Sequence, residues 1–218
     1  DRESLSTLVP IQPHGFRPPW FVVPGVLGSV FELYPLSRCL GSEQPVYDLR
    51  SLGLEEDVEP LTTIEEIAAY HIQWIKTIQP EGKYFIAGHS FGGKVAFEIA
   101  HQLIQQGEEV AELVLMDIPA TIPETEKDAA NWSNGKYLSQ IASIYGGALG
   151  RDLQIHADTL EHLNLDEQLS YAVRQFQRVG QNLPQSQMTR ILQVYKANTQ
   201  AHTQYIAREI DGVSVTLL

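Results

Sequence analysis

Lys83-Tyr84-Phe85-Ile86-Ala87 is a short, mostly apolar run, Gly88-His89-Ser90-Phe91-Gly92 follows it without a break, and Val95, Ala96, Ile99, Ala100 and Leu103 then recur at helical spacing before Gly107. The order predicts a buried strand, a sharp turn and a helix over 93–106. The turn matches G-x-S-x-G in the place where that pattern carries chemistry. A serine hydroxyl is a useful nucleophile only when held exposed beside a base, and a strand-to-helix turn achieves this through a strained backbone. Gly88 and Gly92 leave room for such a turn, and Gly93 lets the helix pack closely. Ser90 is therefore the candidate nucleophile. The amide of Phe91, next in the chain and at the helix N-terminus, is a candidate oxyanion donor.

Working outward, Trp20-Phe21-Val22-Val23 is a buried strand between Pro18-Pro19 and Pro24-Gly25, and 45–49 is a weaker strand candidate. Thr63-Ile64-Glu65-Glu66 fits a capping box, followed by Ile64, Ile67, Ala68, Ile72, Ile75 and Ile78 on one helical stripe that Pro80 and Gly82 end. Leu113-Val114-Leu115-Met116 is the next buried strand, closed by Asp117. This alternation predicts an α/β class, with a mostly parallel sheet and helices on its faces. From about 119 the texture changes. Segments around 133–145, 158–180 and 186–208 are polar-rich and helical with no strand between them, so 120–208 reads as a helical insertion, and 213–218 restores strand character. Gly146-Gly147 and Gly150 fall between helices as terminators or hinges.

A second oxyanion donor belongs on the loop after an earlier strand, and Pro24-Gly25-Val26-Leu27-Gly28 offers the Val26 amide. The acid follows the nucleophile in chain order at a strand end, which selects Asp117; Asp48 ends a strand candidate but precedes the serine. The base is the gap among seven histidines. His71 lies on an apolar stripe and is expected in the core, His89 sits within the turn with its side chain expected to diverge from the hydroxyl, and His101 is on the helix beyond. His14 is in the N-terminal arm, and His156, His162 and His202 are in the insertion. A base that comes after the acid and a further strand belongs C-terminal to Leu218, where this sequence ends.

With 15 Lys plus Arg against 27 Asp plus Glu, the 218-residue chain carries a net charge of -12, which argues against nucleic-acid or anionic-membrane partners. Its hydrophobic content of 43% suits a folded domain spanning 1–218 rather than a disordered chain. The single cysteine, Cys39, makes neither an internal disulfide nor a zinc site, so a reducing, cytoplasmic setting without a metal is expected. Asp1 to Thr7 lacks the pattern of a signal peptide, and no apolar run approaches the roughly 18 to 20 residues that span a bilayer. The chain lacks an initiator Met and stops inside an apolar run, which leads us to expect a piece of a longer protein, with the C-terminal part of the domain missing.

The stretch from Leu8 through Asp117 resembles the terminal thioesterase domains of nonribosomal peptide and polyketide synthases, members of the α/β-hydrolase superfamily. The resemblance is carried by Leu8-Val9-Pro10-Ile11-Gln12 with Pro18-Pro19 ahead of the first strand, Pro24-Gly25-Val26-Leu27-Gly28, Gly88-His89-Ser90-Phe91-Gly92-Gly93, and Leu113-Val114-Leu115-Met116-Asp117-Ile118-Pro119. It implies an α/β-hydrolase fold in which 120–208 forms a lid. It also implies that Ser90 accepts an acyl chain from the 4'-phosphopantetheine arm of an acyl or peptidyl carrier protein, with Asp117 orienting the base and the amides of Val26 and Phe91 holding the oxyanion. Water or an internal nucleophile then releases the chain, and the domain itself binds no cofactor. Carrier proteins are usually acidic, so a chain of charge -12 gains little from long-range steering. Fusion in one synthase instead supplies an effective concentration of roughly millimolar order, favouring a carrier in cis. Two other readings stay open: a free-standing editing thioesterase or other serine esterase, and a non-catalytic carrier-docking module.

Overall fold

Six strands hydrogen-bond side by side in the computed structural model, which describes residues 6–29, 33–55, 58–118 and 128–218. They are β1 (Leu8–Gln12), β2 (Trp20–Val23), β3 (Val46–Leu49), β4 (Lys83–His89), β5 (Glu109–Met116) and β6 (Ser214–Leu217), in the spatial order β1-β3-β2-β4-β5-β6. Every neighbouring pair is parallel except β1 with β3, which is antiparallel. The seven α-helices among the described residues are α1 (Leu33–Leu40), α2 (Ile64–Ile78), α3 (Phe91–Gln105), α4 (Asn134–Leu149), α5 (Ala157–Leu160), α6 (Leu165–Arg178) and α7 (Gln185–Gln204).

The apolar stripes foreseen for α2 and α3 do the packing. Ile64, Ile67 and Ile75 of α2 and Val95, Ile99 and Leu103 of α3 bury against Phe21, Tyr84, Ile86 and Leu113 of the sheet. Each fully buried Ile or Leu contributes about 1.5–3 kcal/mol of transfer free energy. Val22, Val46 and Ala87 point to the opposite face, where Leu36 of α1 packs on them, so helices flank both faces. A second core lies outside the sheet, built from Leu138 and Ile141 of α4, Leu169 and Phe176 of α6, and Met188, Ile191 and Leu192 of α7. It belongs to the helical segment that the sequence marks between β5 and β6. Residues 119–127, the first part of that segment, lie outside the described residues.

Several boundaries differ from expectation for physical reasons. The helix expected over 93–106 begins two residues earlier, because Ser90 already occupies the cap position. The helix expected over 158–180 is two: Asn164 restarts it with a reciprocal capping box, accepting from the Glu167 amide at 3.1 Å while the Glu167 carboxylate accepts from the Asn164 amide at 2.9 Å. The helix expected over 186–208 ends at Gln204. Leu8–Gln12, taken as leading into the first strand, is itself a strand; Pro10 fits because this antiparallel edge strand pairs on one side only. Gly150 is a terminator, the left-handed cap of α4 at φ 63°, whereas Gly146 and Gly147 lie inside the helix.

Candidate active site

β4 ends at His89 and α3 begins at Phe91, so the whole reversal falls on Ser90. Its backbone sits at φ 52°, ψ -121°, a conformation that only glycine adopts without strain. Such a residue stores about 1–3 kcal/mol. Bonds on both sides hold it there: the Ser90 amide donates to the Met116 carbonyl at 2.8 Å, and its carbonyl accepts from the Gly93 amide at 2.9 Å. The flanking glycines are sterically required. A Cβ on Gly88 would collide with the Gly92 carbonyl, and one on Gly92 would collide with the carbonyl oxygens of Val23 and Pro24.

Asp117 follows Met116 directly, is exposed, and also has positive φ, at 49°. Its amide donates to the Leu218 carbonyl at 2.9 Å, which sets the end of β6 beside it. The elbow strand β4 lies next to β5, so Ser90 and Asp117 emerge from adjacent strand ends. Asp48 is placed differently: it lies on β3, beyond β2 from the elbow strand, and alternation puts it on the sheet face opposite α3. Burial pushes its carboxyl up to about 7, with the Arg50 charge pulling the other way.

Val26 occupies a tight turn in which the Gly28 amide donates to the Gly25 carbonyl at 2.8 Å. The Gly25–Val26 peptide is trans, so the Val26 N–H points out of that turn. Phe91 supplies the first amide of α3, where the unpaired donors and the helix dipole favour negative charge. A cavity of about 300 Å³ lies against Ser90 and the Val26 turn. Gly25, Val26, His89 and Ser90 line it from the sheet side, and Ile144, Tyr145, Ala148, Leu149 and Gln181 line it from the helical segment. Burial pushes the Tyr145 hydroxyl upward, while its hydrogen bond with Ser29 opposes that shift.

The histidines fall where the sequence assigns them, with two additions. His71 is buried, with Nδ1 3.4 Å from the Thr7 hydroxyl, and burial holds it down to about 3. His101 lies beside Glu98 on α3, and His14, His156 and His162 are exposed. His89 lines the same cavity as Ser90. His202, expected merely to lie in the insertion, places its ring 6.3 Å from the Phe91 ring and is pushed down to about 4, first by burial and then by the Lys94 charge.

The model of the family described as "Thioesterase domain" matches residues 18–218. The chain belongs to the thioesterase domain family. Among its relatives, indigoidine synthase of Dickeya dadantii is 37% identical over 153 residues, which make up 68% of this thioesterase domain and 10% of that protein. The crystal structure of the holo form of a four-domain nonribosomal peptide synthetase, bound to AMP and glycine, superposes with a TM-score of 0.86 at 27% identity, covering 96% of this chain and 16% of that one. The NocB thioesterase domain, solved as a covalent complex with a fluorophosphonate nocardicin G analogue, shares the fold at a TM-score of 0.64 and 20% identity, covering 95% and 76% of the two chains. The fold is thus that of α/β-hydrolase thioesterases, and the relatives are multidomain synthetases. The chain spans between 2% and 17% of the length of the curated relatives it matches.

Proposed function

We propose that this thioesterase domain releases an acyl, peptidyl or polyketide chain from the 4'-phosphopantetheine arm of a carrier protein fused to it in one synthase, through an ester on Ser90. The observation that carries the reading is the strained Ser90 on the wall of an apolar cavity, between the turn that holds Val26 and the strand end that holds Asp117. Ser90 Oγ attacks the thioester carbonyl as a base takes its proton. The amides of Val26 and Phe91 hold the developing oxyanion, the C–S bond breaks, and the leaving thiolate takes the proton back. Water, or a nucleophile within the chain itself, then attacks the ester and regenerates the serine.

Asp117 orients the base, a histidine supplied after β6. The Asp117–Leu218 backbone bond supports this, because it sets the end of β6 beside Asp117. Residues 1–218 form one domain in this reading, with 120–208 as the lid that shapes the acyl pocket and controls the access of water. Ile144, Ala148 and Leu149 suit an uncharged, apolar acyl portion. The test is intact-mass spectrometry of the full-length protein after incubation with an acyl N-acetylcysteamine thioester. An adduct on Ser90 that disappears in Ser90→Ala is the expected result; an adduct that persists in that variant sinks the proposal.

A further inference from the structure

One side chain of α7 reaches across to the turn that carries the Val26 amide. Asn198 is 2% exposed, and its Nδ2 donates to the Val26 carbonyl at 2.9 Å and to the Ser51 hydroxyl at 3.1 Å. An amide NH₂ has two hydrogens, and both are used. Ser51 also donates its own amide to the Gly28 carbonyl at 3.1 Å, so Asn198 and Ser51 grip the turn at the carbonyls of Val26 and Gly28. The two peptide planes flanking the Val26 Cα are then each fixed: the preceding one by the Gly25–Gly28 bond and the following one by Asn198. One turn further along α7, the His202 ring lies against Phe91, and Lys94 donates to the His202 carbonyl at 3.1 Å. The same face of α7 therefore touches both residues whose amides face the developing charge.

We infer that Asn198 is a positioning residue: it holds the Val26 amide in the direction the oxyanion requires and so couples the lid helix to the oxyanion hole. The inference rests on the proposed Ser90 chemistry. An oxyanion donor is stronger toward the transition state than toward the bound thioester, so a misaimed donor lowers kcat and leaves KM nearly unchanged. Removing such a donor outright costs about 10²–10³ in kcat, and loosening it costs less, about 10- to 100-fold.

The test uses the full-length protein and an acyl N-acetylcysteamine thioester as substrate, with a fluorophosphonate label mapped by mass spectrometry to establish Ser90 as the nucleophile. Asn198→Asp keeps the shape and removes both donors; Asn198→Ala removes the group. Both are expected to lower kcat by about 10- to 100-fold with KM changed less than about twofold. Thr199→Val is the control, because the neighbouring Thr199 hydroxyl bonds only back along α7, to the Tyr195 carbonyl at 2.7 Å. It is expected to retain wild-type kcat. Ser51→Ala, which takes away one of the two Asn198 acceptors, is expected to give a smaller fall in the same direction and covers the case in which the Asn198 variants fold poorly. Unchanged kcat in folded Asn198→Asp, a loss confined to KM, or an equal loss in Thr199→Val overturns the inference. Absence of label on Ser90 in the wild type instead removes the catalytic reading beneath it.

Discussion

Tyr205 donates its hydroxyl to the Glu98 carboxylate at 2.9 Å, joining the residue that caps α7 to the middle of α3. Glu98 is 3% exposed and also accepts from Gln102 Nε2 at 2.9 Å, while burial and the Glu98 carboxylate push the Tyr205 hydroxyl upward. Tyr205→Phe leaves a buried carboxylate one donor short. A loss of about 1–3 kcal/mol is expected, read from the urea midpoint at unchanged m. An unaltered midpoint would show that the bond does not hold the seam.

The strain at Ser90 separates stability from chemistry. Ser90→Ala and Ser90→Gly both remove the proposed nucleophile and are expected to form no acyl-enzyme, but only glycine relaxes a backbone at φ 52°, ψ -121°. Ser90→Gly should be more stable than Ser90→Ala by about 1 kcal/mol, measured by denaturant unfolding. Equal stabilities would mean that the turn carries no strain.

Gly92→Ala tests the close approach of α3 to the loop after β2. The added methyl meets two backbone carbonyl oxygens, those of Val23 and Pro24, which cannot rotate away as a side chain can. A loss of about 3 kcal/mol or more, together with lost acylation, is expected in a thermal melt and a single-turnover assay. Gly107→Ala is the contrasting case, with open space around the new Cβ and only the positive φ of 83° to oppose it.

Two buried groups predict opposite pH responses. Among the described residues, neither Asp48 oxygen has a hydrogen-bond partner, and burial raises its carboxyl from 3.8 to about 7. The folded state binds the proton more tightly than the unfolded state, so Asp48 lowers stability as pH rises from about 4 to about 7. Asp48→Asn is expected to raise Tm more at pH 8 than at pH 5. His71 has the reverse sign: held down to about 3 against 6.5, it lowers stability as pH falls below 6.5. His71→Phe is expected to flatten that acid limb by about one proton. Melts of the two variants across pH 4–8 check both slopes.

What the sequence revealed and what it withheld have separate causes. The elbow was legible because Gly88 and Gly92 are required by backbone collisions within a few residues, which leaves a local signature. The stripes of α2 and α3 were legible because one face of each helix is buried along its length. β1 was read only as a lead-in because Pro10 interrupts it, and its partner β3 lies more than thirty residues away. α1 went unread because it is short and covers a small part of the sheet. The contacts of Asn198 left no pattern at all: one of its two acceptors is a main-chain carbonyl 172 residues away, and an asparagine within a helix carries no mark of what it bonds.

α7 is a single uninterrupted rod of 20 residues, about 30 Å long. Its earlier part supplies Met188, Ile191 and Leu192 to the core of the helical segment, and Ala201 near its end belongs to the core of the sheet. Two cores that share one rigid member cannot melt independently without breaking it. Calorimetry should therefore record one cooperative endotherm, with calorimetric and van't Hoff enthalpies in agreement, although the hydrophobic interior is divided in two.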